Sequence, residues 1–449
     1  MSAGPVRDPR NPEGEEEIRI RPGWEDVYRR SLDCVHCGLC LQSCPTYVET
    51  GREISSPRGR IYLMRGVAEG RAPLAETLVD EAFLCLGCRA CETACPSGVR
   101  YGAMLEGARR EIERAELRGG AAHRLERFAL RAIVPRRLRL RLAFDALSLV
   151  QKLGLLGLVV PLLPKAMGEA SALLPPVPPR GERRPLPSRI PAEGPVRGRV
   201  GLLTGCVMQE LFGRINSATA RVLARNGFEV IVPRAQGCCG ALQAHSGDAE
   251  LAAELARRNA RVFGEAGVDV VVSNSAGCGA AMRDARDWIA SEGAELAAKS
   301  RDVCEWLDAE GLSAPLGPVP LRVCYDDPCH LVHGQRVEAA PRRLLRSIPE
   351  LELLAHSDPG ACCGAAGTYN LTHPAMSRAV LDRKIAALAE ADPDVVSTGN
   401  PGCMMQLRAG VTRAGLRSQV LHPIELLDRS HAQARATGEG ATRRASRPA

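Results

Sequence analysis

Two copies of one cysteine pattern constrain this chain before anything else. Cys34-x2-Cys37-x2-Cys40-x3-Cys44-Pro45 recurs as Cys85-x2-Cys88-x2-Cys91-x3-Cys95-Pro96. A [4Fe–4S] cube takes one thiolate on each iron. Three thiols two residues apart wrap a short loop around three corners, and the loop cannot reach the fourth. The fourth ligand therefore comes from elsewhere in the chain. Pro45 and Pro96 fix φ just past the fourth cysteine and turn the backbone away. Zinc also uses C-x2-C pairs, but it needs no third cysteine in the same loop. Two intact copies with the trailing proline favour iron. A disulfide framework fits worse, because the thiols sit too close in sequence and nothing suggests secretion.

The spacing resembles that of bacterial two-cluster ferredoxins, in which the fourth cysteine of each run serves the other cube. On that pattern Cys34, Cys37, Cys40 and Cys95 hold one cluster, and Cys85, Cys88, Cys91 and Cys44 the other. Arg58 and Arg60 lie between the two runs and stand to stabilise anionic clusters and raise their potentials, with surface solvation as the alternative.

The 449 residues suffice for about two to four domains. Aromatic residues are only 3%, so the core must come from Leu, Val, Ile and Ala. The net charge of +7, from 59 Lys+Arg against 52 Asp+Glu, is mild for this length. No basic stripe with interleaved aromatics accompanies it, so nucleic acid is not an expected partner. An acidic partner or an anionic lipid surface would suit it. Eighteen cysteines fit a reducing compartment and metal ligation. The first thirty residues are polar and hold no apolar signal region. No apolar run reaches the ~18 residues of a membrane span. The expected location is cytoplasmic, or peripheral on the inner face of the cell membrane.

The fold expected is α+β and α/β. A helical ferredoxin-like domain with two [4Fe–4S] clusters, residues 1–127, precedes two homologous α/β cysteine-rich domains, residues 199–312 and 320–430. The first domain should open with a helix near Trp24–Arg30, carry another after Ser56 to about Glu69, and end in a helix over 102–127. Residues 128–170 form an apolar helical segment, with a basic block (Arg131, Arg136, Arg137, Arg139, Arg141) before the run Leu153–Leu163. That run is either a buried helix pair over the cluster domain or an interfacial helix for a membrane or a partner's groove. Residues 171–198 hold eight prolines and read as an extended, exposed linker, and 431–449 as a disordered tail.

From residue 199 short β-branched runs alternate with amphipathic helices, which argues parallel α/β units. Strands are expected at 199–204, 229–232, 268–273, 321–325, 351–355 and 394–397, and helices at 216–226, 248–266, 340–347 and 374–391. The pattern repeats with a period of about 123 residues and carries its own thiols, Cys206-x31-Cys238-Cys239-x38-Cys278 and then Cys329, Cys362, Cys363 and Cys403. Each single cysteine ends a predicted strand, where α/β sheets collect ligands. Three readings stand for these eight: a bound metal or further cluster, a dithiol that cycles through a disulfide, and inert packing. His330 and His333 follow Cys329 and read as capping or hydrogen-bonding groups. Asn274 and Asn400 read as turn residues or as parts of the site. Cys304 and Cys324 fall outside the pattern and read as structural.

Several stretches resemble the iron–sulfur subunit of bacterial glycolate oxidase (glycolate dehydrogenase). They include Cys34-Val35-His36-Cys37-Gly38, Ser56-Pro57-Arg58-Gly59-Arg60-Ile61-Tyr62, Gly237-Cys238-Cys239-Gly240, and Cys362-Cys363-Gly364 with Gly367-Thr368-Tyr369. The repeats resemble the CCG domains shared with heterodisulfide reductase, lactate-utilisation and anaerobic glycerol-3-phosphate dehydrogenase subunits. One departure is clear. Heterodisulfide reductase opens a C-x2-C pair at the last cysteine of each repeat, where this chain has Ala281 and Gln406. That puts that enzyme's non-cubane cluster in doubt here.

The chain has no G-x-G-x-x-G nucleotide unit and no evident flavin fold. The resemblance implies an FAD-binding dehydrogenase partner that oxidises glycolate to glyoxylate, with FAD on that partner and electrons leaving toward a quinone or other acceptor. The alternatives are a subunit of a lactate-utilisation or heterodisulfide-reductase-like complex with redox chemistry at the CCG cysteines, and a non-enzymatic iron–sulfur sensor or scaffold.

Overall fold

The computed structural model describes residues 19–155 and 175–445, with side chains described as far as 437. The polar lead-in before residue 19 and most of the run Leu153–Leu163 lie outside the described residues. The chain divides into two compact units, Met1–Phe128 with Leu242–Leu251, and Ala129–Ala241 with Ala252–Ala449.

The first unit is helical, with no strand among its described residues. Ser56 caps helix Pro57–Ala68, its hydroxyl accepting from Gly59 N at 3.0 Å, and Pro57 occupies the first turn where its missing N–H costs nothing. Trp24, Tyr28, Met64, Met104 and Ile112 are buried together in the core. The helix expected over 102–127 is two helices, Tyr101–Arg114 and Gly120–Phe128. Glycine is a poor helix former, and Gly119-Gly120 releases the chain. Arg118 spans the break, donating to Glu113 at 3.0 Å and Glu126 at 3.1 Å. Arg109, buried on the first of these helices, donates to the carbonyls of Ala82, Cys85 and His245 at 2.7–2.8 Å. It therefore ties the second cysteine loop to the segment Leu242–Leu251.

The second unit holds two open sheets. Strands β1 (Arg189–Ile190), β2 (Gly198–Leu203), β3 (Phe228–Ile231), β4 (Val270–Ser273) and β5 (Ser300–Asp302) lie in the order β1-β3-β2-β4-β5. Strands β6 (Arg322–Tyr325), β7 (Glu352–Leu354), β8 (Val395–Ser397) and β9 (Gln419–Leu421) lie in the order β7-β6-β8-β9. Setting aside the antiparallel edge strand β1, each sheet is parallel and each repeat has the order second-first-third-fourth. Strand order thus reverses between β2 and β4, and again between β6 and β8. Outside the carboxyl ends of strands at such a reversal lies the usual ligand crevice of an open α/β sheet.

Two expectations change and one gains detail. The described part of the linker, from Pro175, is mostly exposed but anchored at points. Arg183 is 2% exposed, paired with Asp145 and with Glu210 at 3.0 Å, and β1 extends the sheet. Sequence periodicity missed this because one guanidinium and two paired residues do the fastening. Helix Arg137–Lys152 groups with the second unit, not the cluster domain, and leaves Leu138, Leu142, Leu149 and nearby Leu153 exposed along one side. The tail does not break at 431. Helix Pro423–Ala445 runs through it, with Ser430 and His431 buried.

Candidate iron–sulfur sites

The N-terminal thiols gather across the two runs. Cys34, Cys37, Cys40 and Cys95 line one recess, walled also by Cys91 and Tyr101. Cys91 is buried, with Cys88, Cys85 and Cys44 among its electrostatic neighbours. The fourth cysteine of each run therefore lies with the first three of the other. Cys40 feels both Cys34 and Cys44, so the two sets adjoin. Burial pushes the Cys34, Cys40 and Cys91 thiols up. As thiolates they need a compensating positive centre.

The two arginines separate in role. Arg58 is exposed enough to pair with Glu53 at 2.6 Å and donates to His36 O at 3.1 Å. Arg60 is fully buried. Its Nη1 stands 4.0 Å from Cys44 Sγ and 3.1 Å from Thr46 Oγ1, while Glu81 takes Nη2 at 3.1 Å and offers its carbonyl to Nε at 2.6 Å. Tyr101 Oη lies 3.7 Å from Cys85 Sγ. Sequence reasoning named Arg60 but missed Tyr101, Thr46 and Glu81, whose only signal is position beside a cysteine loop.

The eight cysteines of the repeats form two chains of thiols. Cys206 Sγ lies 3.7 Å from Cys238 Sγ, and contacts continue from Cys238 to Cys239 and from Cys239 to Cys278. In the second repeat they run from Cys329 to Cys362, Cys363 and Cys403. Sharing hydrogen bonds with Cys206 and Cys239 holds Cys238 down, while Cys206 and Cys239 are pushed up; Cys363 is held down between Cys362 and Cys403 in the same way. Cys206 and Cys278 follow β2 and β4, and Cys329 and Cys403 follow β6 and β8. Each set thus straddles a strand-order reversal.

Local chain geometry explains the glycine after each cysteine pair. Gly240 has φ +87° and Gly364 φ +86°, in the left-handed region that side chains resist. A Cβ there would stand 3.1 Å from Ala252 O in the first repeat and 2.4 Å from Ser377 O in the second. The adjacent cysteines are thereby turned inward and buried.

The two asparagines are more than turn residues. Asn400 donates to Cys403 Sγ at 3.4 Å, and its Oδ1 accepts from Gly277 N at 3.1 Å, beside Cys278. One side chain therefore joins the two thiol loops. Asn274 is buried, donating to Asn216 and Thr219 at 2.9 Å, and its carbonyl faces His422 Nε2 at 3.0 Å. His333 lies 3.0 Å from Gly360 O, a structural bond. Cys304 and Cys324 are buried in hydrophobic cores, Cys324 within β6 itself. At the departure positions, Ala281 is core and Gln406 donates to Ser377 Oγ at 2.9 Å.

These donor sets fit iron–sulfur clusters. Among the described residues no three His, Cys, Asp or Glu side chains gather tightly enough for a single metal ion. Four thiols per set, part-exposed around Cys37 and mostly buried around Cys91, are soft ligands suited to such a cluster.

Fold and site together define the class, a two-cluster iron–sulfur protein with paired cysteine-rich domains. The comparisons agree. Residues 30–99 match the 4Fe-4S dicluster domain family, and residues 200–283 and 323–408 the cysteine-rich domain (CCG) family. The chain is 37% identical to the probable glycolate oxidase iron–sulfur subunit of Bacillus subtilis, over 88% of this chain and 93% of that one. It is 35% identical to the glycolate oxidase iron–sulfur subunit of Escherichia coli, with the same coverage. One subunit of the fumarate reductase (CoM/CoB) of Methanothermobacter marburgensis is 27% identical over 92% of this chain and 75% of its own. The chain belongs to the family of glycolate oxidase iron–sulfur subunits.

Proposed function

We propose that this chain is the electron-transfer subunit of a flavin-dependent 2-hydroxy-acid dehydrogenase, with glycolate as the substrate of an FAD-binding partner. The observation that carries the reading is the crossed gathering of the N-terminal thiols, Cys95 beside Cys34, Cys37 and Cys40, and Cys44 beside Cys85, Cys88 and Cys91. These eight would hold two [4Fe–4S] clusters. When bound, such clusters take and give single electrons. The chain's own part is to hold the thiolates in place, exclude water from the second set, and set potentials through Arg60 and Tyr101.

The eight repeat cysteines would hold further redox groups in the same reading. Substrate oxidation falls to the partner, because a two-electron oxidation of a hydroxy acid needs a hydride acceptor such as a flavin. Electrons would leave toward a quinone or similar acceptor. Among the described residues no helix is long and apolar enough to cross a membrane, so contact with a membrane-held acceptor would use an exposed face. The leucines of helix Arg137–Lys152 supply one.

Anaerobic addition of glycolate to the chain with its flavoprotein partner tests the reading. Cluster absorbance should bleach with glycolate and partner together, and not with either alone. No bleaching in the complete mixture, with clusters present, would remove the glycolate assignment.

A further inference from the structure

The two thiol sets are built alike, but what stands behind them differs. Corresponding residues are fixed by contacts. Arg199 N and Arg322 N each donate to an aspartate Oδ2, of Asp269 at 2.7 Å and Asp394 at 2.8 Å. Counting on from these, Leu203 of the first repeat corresponds to Asp326 of the second. Strand pairing sets Val200 beside Val230 and Val323 beside Leu353, so Pro233 corresponds to His356. Ala252 O and Ser377 O face the glycines that follow the cysteine pairs. Seven residues further along each helix stand Asn259 and Lys384. Three neutral residues in one repeat are an acid, an imidazole and an ammonium in the other.

The three are buried together. The side chains of Asp326, His356 and Lys384 are each 1% exposed. Lys384 Nζ lies 2.8 Å from Asp326 Oδ1 and donates to the carbonyls of Asp358 at 2.5 Å and Pro359 at 3.2 Å. His356 Nε2 is 3.9 Å from the same carboxylate oxygen. The approach of Lys384 is off line, so neither oxygen of Asp326 has an aligned hydrogen bond, and the His356 ring makes none either, interacting only loosely with the Tyr325 backbone. The other charges around them are accounted for. Asp327 is held by Arg342 at 2.6 and 2.7 Å. Asp358 adds its charge near Lys384 and His356, and Cys363 and Cys403 act on Asp326 electrostatically from the thiol side. Burial lifts the Asp326 carboxyl to about 7 and lowers His356 to about 4. In the first repeat, Asn259 satisfies the equivalent space with neutral bonds to Gly237 N and Cys238 O, both 2.9 Å.

A buried acid without aligned donors is poorly suited to holding a fold together. It is well suited to taking a proton when negative charge arrives nearby. We propose that Asp326, with His356 and Lys384, makes electron arrival at the second thiol set proton-coupled, whereas the first set takes electrons alone. The inference rests on the reading that the repeat cysteines hold redox groups. One electron arrives from the N-terminal clusters, one proton from water joins the Asp326 carboxylate, and no bond at the thiols forms or breaks. The buried site gains no net charge. The acceptor it serves is one whose reduction consumes protons, the chemistry of a quinone. Asp326 is a positioning residue here, acting through the thiol site rather than touching the acceptor.

The test is an anaerobic redox titration of the full chain, followed by EPR, on both sides of about pH 7. One signal beyond those of the two N-terminal clusters should hold its potential below about pH 7 and fall above it, with one proton per electron. Cys363→Ala should remove that signal and Cys239→Ala should leave it. Asp326→Asn, and the pair Asp326→Leu with Lys384→Asn that copies the first repeat, should make it independent of pH while keeping it visible. A pH-independent third signal in the unaltered chain would overturn the inference alone, as would a slope that survives both variants. Absence of any signal beyond the two N-terminal clusters would overturn the reading it rests on.

Discussion

The two cysteine-rich repeats share strand order, thiol positions and the left-handed glycine, yet differ in the polarity of their interiors. What they share is what parallel-sheet geometry requires. Thiols at the carboxyl ends of strands flanking the order reversal meet only if the register and the glycine turn are kept. What they do not share is the side chain behind each thiol set, Leu203 and Asn259 against Asp326 and Lys384. A fold can be copied while its chemistry diverges. The ionised pair behind the second set is costly to bury and unlike anything needed for packing.

The comparison is broken most directly by deleting thiols. Cys239→Ala and Cys363→Ala should each abolish the redox group of one repeat and leave the other repeat and the N-terminal clusters, read as partial iron loss per chain. Equal loss from both repeats on either substitution would mean one shared site, a result that Asn400 bridging Gly277 and Cys403 makes worth checking.

Breaking the ion pair comes next. Lys384→Met leaves Asp326 buried beside no cation and should cost about 3–5 kcal/mol of unfolding free energy. Asp326→Leu added to it should restore most of that loss, since a buried pair replaced by apolar groups is often neutral. Denaturant melts of the single and double variants decide this. A double variant no better than Lys384→Met would show that the pair is not the unit.

The glycines sharpen the comparison. Alanine at either position meets a left-handed backbone costing roughly 1–2 kcal/mol. Gly364→Ala should cost more than Gly240→Ala, because its Cβ would press on Ser377 O at 2.4 Å against 3.1 Å from Ala252 O. Equal losses would mean that the helix carrying Ser377 yields freely.

The last expected effect, absent at neutral pH, is one of acid at the contact between repeats. His422 is buried, and burial lowers it to about 4. Its Nδ1 accepts from Ile424 N at 3.1 Å, which leaves Nε2 to donate to Asn274 O at 3.0 Å. The folded state therefore binds this proton less readily than the unfolded chain, whose histidine titrates near 6.5. The contribution is present above about 6.5 and is lost as pH falls toward about 4. His422→Gln should flatten stability across that window, and an unchanged acid profile would remove His422 from the account.

Much of this was legible in the sequence. The crossed sets of Cys34 to Cys44 and Cys85 to Cys95 were what the resemblance to two-cluster ferredoxins implied, and helix Pro374–Ala391 has the limits its periodicity indicated. Strands β5 and β9 went unread: Ser300-Arg301-Asp302 has no apolar residue and Gln419-Val420-Leu421 only two. The anchoring of Arg183 and the bridging by Asn400 depend on partners 27 and 123 residues away. No local pattern reports such contacts. The departure at Ala281 and Gln406 was visible, but not that Gln406 closes a polar chain through Ser377 to Gly364 O at 2.8 Å. The fastening of the linker by Arg183 and the continued helix Pro423–Ala445 went unread for one reason: composition describes average solvation, not particular contacts.

The most direct test of the central claim is iron and acid-labile sulfide per chain after anaerobic purification, with EPR of the reduced protein. The account predicts at least about eight irons with matching sulfide and a coupled two-cluster signal. Zinc in place of iron, or iron without sulfide, would contradict it.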